Sequence, residues 1–330
     1  MSTSDRRSLI DFLPLDSPFS IHIYPSFYCN FCCNYCIHSL TKEQQRQAHF
    51  IEQYMDMNIY KLSVNSIKGF ISRPKAIIFA GHGEPLLHSE IAEMILLAKQ
   101  DDVAERVEIV SNGSLLTNNL SDKLINARLD RLRISLQGLN SEDYERVCGR
   151  KIIFPEFLSN LEYLYKHKQH TELIIKIIDI ALSKTSNVDQ FHAMFDNICD
   201  TATVEHLFPF INQINHNTFG VELNKSKHND NTVMNTDICA MPFYMLVILP
   251  NGDVTGCCAI NPPVIYGNIT KNSLTEIWDC EIRSQFLYTQ VHDRTTNAIC
   301  RNCTVPCYGM QEGDYLDAHK ERLLELYGTD

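Results

Sequence analysis

The chain has 330 residues, 44% of them hydrophobic and 21% charged, and 29 Lys and Arg against 40 Asp and Glu give a formal net charge of -11. This composition predicts a folded protein of one large and one smaller domain, and the negative charge argues against a nucleic-acid partner and favours a neutral or cationic small substrate. Thirteen cysteines without a secretory signal argue against a disulfide framework, and no apolar run reaches membrane-spanning length, so we expect a cytoplasmic, soluble protein with no membrane partner.

The first part of the chain alternates short β-branched runs with helical patterns. The helical patterns include residues 89–100 and 117–129, the second of which begins at a capping Thr117. Alternating strands and helices indicate an α/β fold with a parallel sheet, here curved into an open barrel, whose functional residues lie at the carboxyl ends of the strands. The predicted strands are 19–24, 76–80, 106–111, 131–136, 173–182 and 203–210.

The alternation stops near residue 210, and a second unit with different patterns follows. It opens with a predicted hairpin that turns at Pro250–Asp253, continues with a helical pattern over 273–288, and ends in a loop dense in cysteines. The predicted divisions are a barrel over 1–210, a connector over 211–238, a small second domain over 239–310 and a helical tail over 311–330.

A loop with four cysteines, YCNFCCNYC, directly follows the first predicted strand. Cys29, Cys33 and Cys36 have the spacing Cys-x3-Cys-x2-Cys, and three thiolates suit an iron-sulfur cube that leaves one iron open to another ligand. Two other readings stay open on this loop alone. One is a zinc site that takes His38 or Cys32 as fourth ligand, and the other is a set of packing cysteines.

Three further strands end in turns with polar residues and glycines. The second ends in FAGHGEP, where glycines let the backbone approach a ligand closely and Glu84 can accept hydrogen bonds from an ammonium group. The third ends at Asn112 and Gly113, and the fourth ends in ISLQG. Each turn alone is an ordinary strand exit, and the order of the turns on successive strands is the informative feature.

This order resembles the radical S-adenosylmethionine (radical SAM) enzymes over nearly the whole chain. In that family three cysteines bind a [4Fe-4S] cluster, and the amino and carboxylate groups of SAM bind its fourth iron. The resemblance implies a partial (β/α)6 parallel barrel of the radical SAM type with Cys29, Cys33 and Cys36 as cluster ligands. It places the SAM-binding role on Tyr35, Gly81, Gly83, Glu84, Pro85, Asn112 and Ser135. It gives no SAM-binding role to Cys32 or Gln137.

A second set of cysteines lies in the C-terminal part, with the spacing Cys239, Gly252-x4-Cys257, Cys300-x2-Cys303 and then Cys307. Four thiolates from a hairpin and a distant loop can close either a zinc site or an iron-sulfur site. The surrounding sequence resembles the SPASM/twitch extension of radical SAM enzymes, a β-hairpin plus helix that binds clusters. The resemblance implies the shorter twitch form, with one auxiliary [4Fe-4S] cluster on Cys239, Cys257, Cys300 and Cys303, unless Cys307 or Cys258 replaces one of them.

The family resemblance also implies the chemistry. An electron from a donor such as flavodoxin or ferredoxin leads to cleavage of SAM, and the resulting 5'-deoxyadenosyl radical removes a hydrogen atom from a substrate carbon. The expected substrate is a carbohydrate-like or aminocyclitol-like small molecule. It is either dehydrogenated to a ketone or epimerised by a thiol that returns the hydrogen atom, with Cys258, Cys280 and Cys307 as candidate donors.

Three alternatives remain from the sequence. The runner-up is a radical SAM maturase that modifies a peptide, although peptide-modifying relatives often carry an N-terminal leader-binding domain and the cysteine loop begins at residue 29. An RNA-modifying enzyme should show a basic face, and a non-catalytic zinc-binding module should need no glycine-rich turn. Lys176 is a candidate proton acceptor only if the strand register turns it into the barrel.

Overall fold

One sheet organises the part of the chain that the computed structural model describes, residues 7–183, 186–228 and 231–328. The strands are β1 Ser20–Ile23, β2 Ala76–Phe79, β3 Val107–Ser111, β4 Arg131–Leu136, β5 Glu172–Ile178, β6 Thr201–Glu205, β7 Met245–Ile248, β8 Asp253–Thr255 and β9 Gly267–Asn268. Their order in the sheet is β6-β5-β4-β3-β2-β1-β7-β8-β9. All pairings from β6 to β7 are parallel, which confirms the α/β fold with a parallel barrel sheet.

The six predicted barrel strands are all present, and the last two end earlier than predicted. The β5 strand stops at Ile178, and a 3-10 turn over Asp179–Ala181 follows it. The reason is the Asp179 carboxylate, which accepts hydrogen bonds from the backbone N–H groups of Ile180 and Leu207 at 2.8 and 3.0 Å. These hydrogen bonds replace the backbone pairing between the strands. The segments that follow β5 and β6 therefore turn away from the sheet at its carboxyl edge.

Helices follow most of the barrel strands and cover the outside of the sheet. The described helices are α1 Lys42–Gln47, α2 Met57–Ile67, α3 Ile91–Gln100, α4 Asn118–Asn126, α5 Ser141–Cys148, α6 Phe154–His167, α7 Val188–Phe195, α8 Met241–Tyr244, α9 Leu274–Trp278, α10 Glu281–Asp293, α11 Ala298–Arg301, α12 Val305–Tyr308 and α13 Lys320–Tyr327. The predicted cap is confirmed, since the Thr117 side chain accepts from the Leu120 N–H. Across the described ranges, no helix combines the length and apolar character needed to cross a bilayer.

The predicted helix over 273–288 is two helices. The first, α9, ends with Asp279 as its C-cap, and Cys280 then serves as the N-cap of α10. The thiol of Cys280 accepts a hydrogen bond from the Arg283 N–H at 3.4 Å, which satisfies one free donor of the new helix. Because the helical pattern of the sequence continues through the break, it does not reveal that Cys280 is an N-cap.

A buried ion network lies at the amino ends of the barrel strands. The carboxylate of Glu108 on β3 is fully buried and pairs with Arg106, Arg131 and Arg133. Arg131 also pairs with Glu172, the first residue of β5, at 2.6 Å. A buried carboxylate requires charged partners, and the arginines supply them. The resulting ion network occupies the end of the barrel where the strands begin. The opposite, carboxyl end is left for the cavity described below.

The predicted hairpin is present, and it extends the barrel sheet. Its first strand, β7, pairs in parallel with β1, with Leu246 opposite Ile21, and β8 returns antiparallel to β7. All four residues of β7 are buried. The physical reason is that β1 would otherwise present an open edge, which folded proteins cover. The sequence predicts a separate second unit from Cys239, whereas the structure joins its hairpin to the sheet of the first.

The two chain ends share a second apolar core. Leu9, Ile10 and Leu13 near the amino end pack with Leu287 of α10 and Leu323 of α13. The predicted C-terminal tail is therefore a packed element over the residues described.

The shared sheet leads to a prediction about unfolding. Leu246 is fully buried in β7, so Leu246→Ala should lower the free energy of unfolding by about 2 to 5 kcal/mol. Because β7 pairs with β1, the loss should shift a single transition, measured by thermal circular dichroism. Leu326→Ala in α13, at a residue 36% exposed, is the matched control and should shift it little. Two separate transitions, one of them at the wild-type temperature, would contradict the shared sheet.

Candidate functional site

A cavity of about 470 Å³ lies at the carboxyl ends of the barrel strands. Its volume is in the range of ordinary ligand pockets. The cysteine loop, the strand ends, the connector and the C-terminal unit all contribute to its wall. Residues that matter for the argument are Cys29, Tyr35, Cys36, Gly81, His82, Gly83, Ser135, Gln137, Lys176, Glu205, Lys227 and Cys258.

The glycine turn after β2 lies directly against the start of the cysteine loop. A Cβ added at Gly83 would stand 2.3 Å from the carbonyl oxygen of Ser26 and 2.5 Å from that of Tyr28. The N–H of Glu84 donates to the same Tyr28 oxygen at 2.8 Å. Gly81 has a φ of +122°, and a Cβ there would stand 2.6 Å from the ring of Tyr24. Both positions therefore require glycine, one for close approach and one for its backbone conformation.

The cysteine loop is fastened on its other side to the end of α5. The N–H groups of Cys32 and Asn34 donate to the carbonyls of Cys148 and Val147, each at 2.9 Å. Within the loop the Cys36 N–H donates to the Cys33 carbonyl at 2.8 Å. Cys32 is exposed. Its exposure is compatible with the prediction that it has no role in SAM binding.

The three predicted cluster thiols are close together and poorly solvated. Burial raises the pKa of Cys29 to about 12 and raises those of Cys33 and Cys36, and the neighbouring thiols add to each shift. Such thiols ionise together only beside a positively charged group. All thirteen cysteines are free, so no disulfide competes. The donor set therefore fits an iron-sulfur cluster, whose binding supplies that charge.

The ends of β4 and the cysteine loop meet at the cavity through Tyr35. Its hydroxyl donates to Gln137 Oε1 at 2.7 Å, and Gln137 Nε2 donates to the carbonyl of Ser135 at 3.2 Å. Tyr35 and Ser135 both line the cavity, where the prediction for a SAM site needs them. Gln137, which sequence reasoning left without a role, is the partner that orients Tyr35, and no sequence pattern indicated it.

Three residues with a predicted SAM-binding role do not line the cavity: Glu84, Pro85 and Asn112. The buried carboxylate of Glu84 accepts from the Leu86 N–H, the Ser111 hydroxyl and the Asn112 N–H at 2.9, 2.7 and 2.8 Å. It thus clamps the end of β2 to the end of β3. Its predicted contact with the SAM amino group stays a prediction, as does the predicted SAM-binding role of Asn112, whose side chain donates to Asn30 of the cysteine loop at 2.9 Å.

The four predicted auxiliary ligands converge in the C-terminal unit. Burial raises the pKa of Cys239 and Cys257, and the charges of neighbouring cysteines, Cys303 among them, add to both shifts. Burial also raises the pKa of Cys300, and the charge of Cys303 adds to that rise. In the described part of the chain, no three or more His, Cys, Asp or Glu side chains form a group that could hold a metal ion.

The structure separates the three candidate hydrogen donors. Cys258 lines the cavity, with its Sγ 3.7 Å from the Sδ of Met241. Cys280 caps α10 and Cys307 lies in α12, and neither lines the cavity. Cys258 is thus the spare thiol placed to meet a bound molecule.

A charged wall completes the cavity on the side of β5 and β6. The register turns Lys176 into the barrel, where its Nζ lies 3.0 Å from Glu205 Oε2. Burial and, after it, the nearby Lys227 lower the pKa of Lys176 to about 8, although Glu205 opposes the shift. Lys227 comes from the predicted connector, where composition alone indicated no site.

His82, in the turn after β2, is a further lining residue that sequence reasoning missed. Its ring stacks on Phe210 at a centroid distance of 6.1 Å and meets Tyr24 edge-on at 5.4 Å. Burial lowers its pKa to about 4, so the ring is neutral.

Comparisons with known proteins agree with this architecture. Residues 23–196, more than half of the chain, match the family model of the Radical SAM superfamily. Residues 239–304 match SPASM, an iron-sulfur cluster-binding domain.

Two curated relatives match smaller parts of the chain. An AdoMet-dependent heme synthase from Methanosarcina barkeri is 29% identical over 150 residues, 41% of this chain and 42% of that protein. A GTP 3',8-cyclase from Staphylococcus haemolyticus is 28% identical over 118 residues, 36% of this chain and 33% of that protein. The chain therefore spans less than half the length of these relatives.

Solved structures match more of the chain. BtrN in complex with AdoMet and 2-DOIA has a TM-score of 0.53 at 18% identity, over 86% of this chain and 92% of that one. The anSMEcpe protein with bound AdoMet has a TM-score of 0.60 at 14% identity, over 94% and 93%. Streptococcus suis SuiB bound to precursor peptide SuiA has a TM-score of 0.60 at 14% identity, over 93% and 76%. At these identities the likeness establishes the fold.

The first site prediction concerns the cysteine loop. Replacing Cys29, Cys33 or Cys36 with Ala should remove the first cluster and abolish formation of 5'-deoxyadenosine from SAM, because each removes one of three ligands. Cys32→Ala, in the same loop with an exposed side chain, is the matched control and should retain both. Iron content and product are measured after anaerobic reconstitution. Intact SAM cleavage in all three variants would refute the assignment.

The second site prediction concerns the C-terminal cysteines. Cys257→Ala should remove about half of the roughly eight irons expected for two [4Fe-4S] clusters. Cys258→Ala, at the adjacent residue, should keep the full count. The reverse pattern would move the ligand from Cys257 to Cys258, and iron and sulfide analysis distinguishes the two.

Proposed function

The chain belongs to the radical SAM superfamily, and on this premise we propose that it epimerises a carbohydrate-like or aminocyclitol-like small molecule, with Cys258 as hydrogen-atom donor. When bound, the barrel cluster and SAM supply a 5'-deoxyadenosyl radical that removes a hydrogen atom from a substrate carbon. The observation that supports the choice of reaction is the position of Cys258 in the wall of the cavity that Cys29 and Cys36 also line.

The proposed ligand sets follow the two groups of cysteines. Cys29, Cys33 and Cys36 hold the first cluster, and Cys239, Cys257, Cys300 and Cys303 hold one auxiliary [4Fe-4S] cluster. The proposed divisions remain a barrel over 1–210, a connector over 211–238 and a cluster-binding unit over 239–310, with a C-terminal segment over 311–330. Thirteen free thiols suit a reducing compartment such as the cytoplasm.

The proposed role of Cys258 is the return of a hydrogen atom to the substrate radical. Its S–H bond breaks while a C–H bond forms on the face opposite the abstraction, which inverts the carbon. One electron from an external donor such as flavodoxin or ferredoxin, together with one proton from solvent, restores the thiol. The reaction requires the thiol to face the substrate from the side opposite the abstracting group, and the position of Cys258 in the same cavity as Cys29 and Cys36 supports this role.

A small substrate is favoured over a peptide by the volume of the cavity, about 470 Å³, which is in the range of ordinary ligand pockets. Phe208 and Phe210, which follow β6, and the C-terminal residues Val305 and Gly309 line the cavity at the strand ends. The solved BtrN complex holds 2-DOIA beside AdoMet in this fold, whereas SuiB in the same fold is bound to a precursor peptide. Peptide modification is therefore the competing substrate class.

Dehydrogenation to a ketone is the second candidate reaction. Lys176 lines the same cavity, and burial lowers its pKa to about 8, which suits a group that accepts a proton near neutral pH. This alternative predicts a ketone product and no inversion.

The test uses a substrate selected by its stimulation of 5'-deoxyadenosine formation, from a panel of sugars, cyclitols, sugar acids and short peptides. In deuterated water the wild-type enzyme should place one deuterium at the inverted carbon, since a thiol exchanges its hydrogen with solvent. Cys258→Ala should still form 5'-deoxyadenosine but should lose the deuterated, inverted product. Cys280→Ala and Cys307→Ala are the matched controls and should retain it. Unchanged deuterium incorporation in Cys258→Ala would contradict the proposed donor, and a ketone would favour dehydrogenation.

A further inference from the structure

The charged wall of the cavity holds two lysines and one carboxylate from three different elements. Lys176 comes from β5, Glu205 from β6 and Lys227 from the connector, and all three line the cavity. Glu205 Oε2 lies 3.0 Å from Lys176 Nζ and 3.8 Å from Lys227 Nζ. Glu205 Oε1 lies 3.7 Å from Nδ1 of His228. One carboxylate thus serves two ammonium groups and an imidazole.

The second lysine is not neutralised by another acid among the described residues near this wall. Asp179 is the neighbouring carboxylate, and its oxygens accept from the N–H groups of Ile180 and Leu207 and from His206 Nδ1 at 3.1 Å. It is therefore occupied by its own partners. The wall has an excess of positive charge at a place where water is limited, since the side chains of Lys176 and Glu205 are 16% and 19% exposed.

The titration behaviour agrees with this excess. Although burial acts to raise it, Lys227 and Lys176 lower the pKa of Glu205 to about 2. Lys176 keeps a lowered pKa in spite of its ion pair, because burial and the charge of Lys227 outweigh Glu205. Lys227 and Cys258 line the same cavity, so the positive charge and the thiol border one space.

From these contacts we infer that the substrate carries an acid group, a carboxylate or a phosphate, which binds between Lys176 and Lys227 close to Cys258. The inference rests on the proposed function and narrows its substrate class to acidic sugars or cyclitols. A bound acid group completes the ion network and makes charge-assisted hydrogen bonds, which are the strong ones in a poorly solvated site. It also holds the reacting carbon near the thiol.

The first test is lysine labelling of the reconstituted holoenzyme without reductant, so that no SAM is cleaved. A pulse of an acetylating ester is applied with SAM present, alone or with millimolar glucuronate, glucose 6-phosphate, glucose or glucosamine. Glucuronate or the phosphate should protect Lys227 from acetylation, read by peptide mass spectrometry, whereas glucose and glucosamine should not. The exposed Lys271 is the internal control and should react equally in all samples. Protection by glucuronate alone would indicate recognition of a carboxylate, and protection by glucose 6-phosphate alone would indicate recognition of a phosphate.

Three outcomes of the labelling would overturn the inference. If SAM alone protects Lys227 fully, the lysines hold the SAM carboxylate and no substrate acid. Equal protection by glucosamine would indicate that the cavity binds sugars without regard to their charge. No protection by either acid would leave the wall without an anion site.

The second test uses two variants with opposite expected effects on glucuronate or glucose 6-phosphate binding, whichever of them protects, measured by calorimetry. Lys227→Met should weaken binding about tenfold or more, the value of one lost charge-assisted contact. Glu205→Gln should strengthen it, because it removes the acid that competes for both lysines, and Lys271→Met should change nothing. Weaker binding in both site variants would indicate a purely structural network and overturn the inference. Since no turnover occurs, these results do not depend on whether Cys258 donates hydrogen.

Discussion

The close backbone contact between the glycine turn and the cysteine loop is the constraint on which the site depends. With no Cβ at Gly83, the chain at Ser26 and Tyr28 lies against the end of β2, and the N–H of Glu84 bonds to the Tyr28 carbonyl at 2.8 Å. Because this contact fixes where the loop begins, it also fixes where the thiols of Cys29, Cys33 and Cys36 lie relative to the barrel. A methyl group at this place would push the loop away from the strand ends.

The rest of the site is arranged around that fixed loop. The Glu84 carboxylate joins the ends of β2 and β3, and the end of α5 supports the loop from the other side. The hairpin of the C-terminal unit pairs with β1, the strand that leads into the loop, so the second cysteine group is tied to the same sheet. One cavity is therefore lined both by the cysteine loop and by Cys258. In the proposed function, Cys258 is the hydrogen donor to a substrate radical bound there.

Much of the fold was predictable from sequence because its signals are local. The β-branched runs marked all six barrel strands, and the Pro-Asn-Gly-Asp turn marked the hairpin. The pairing of β7 with β1 was not predictable, since it joins segments more than two hundred residues apart. The direction of Lys176 depended on strand register, and Lys227 belongs to a connector with no regular pattern. The overall charge of -11 favoured a neutral or cationic substrate and gave no indication of the two lysines beside Glu205 in the cavity wall.

The central claim is that two iron-sulfur clusters flank one cavity and that the first of them binds SAM. Mössbauer spectroscopy of the 57Fe-reconstituted protein, recorded with and without SAM and combined with zinc analysis, tests it most directly. We expect two [4Fe-4S] clusters per chain and a change on SAM addition confined to about one iron in eight, the open iron of the first cluster. A single cluster with one equivalent of zinc, or spectra that SAM leaves unchanged, would contradict it.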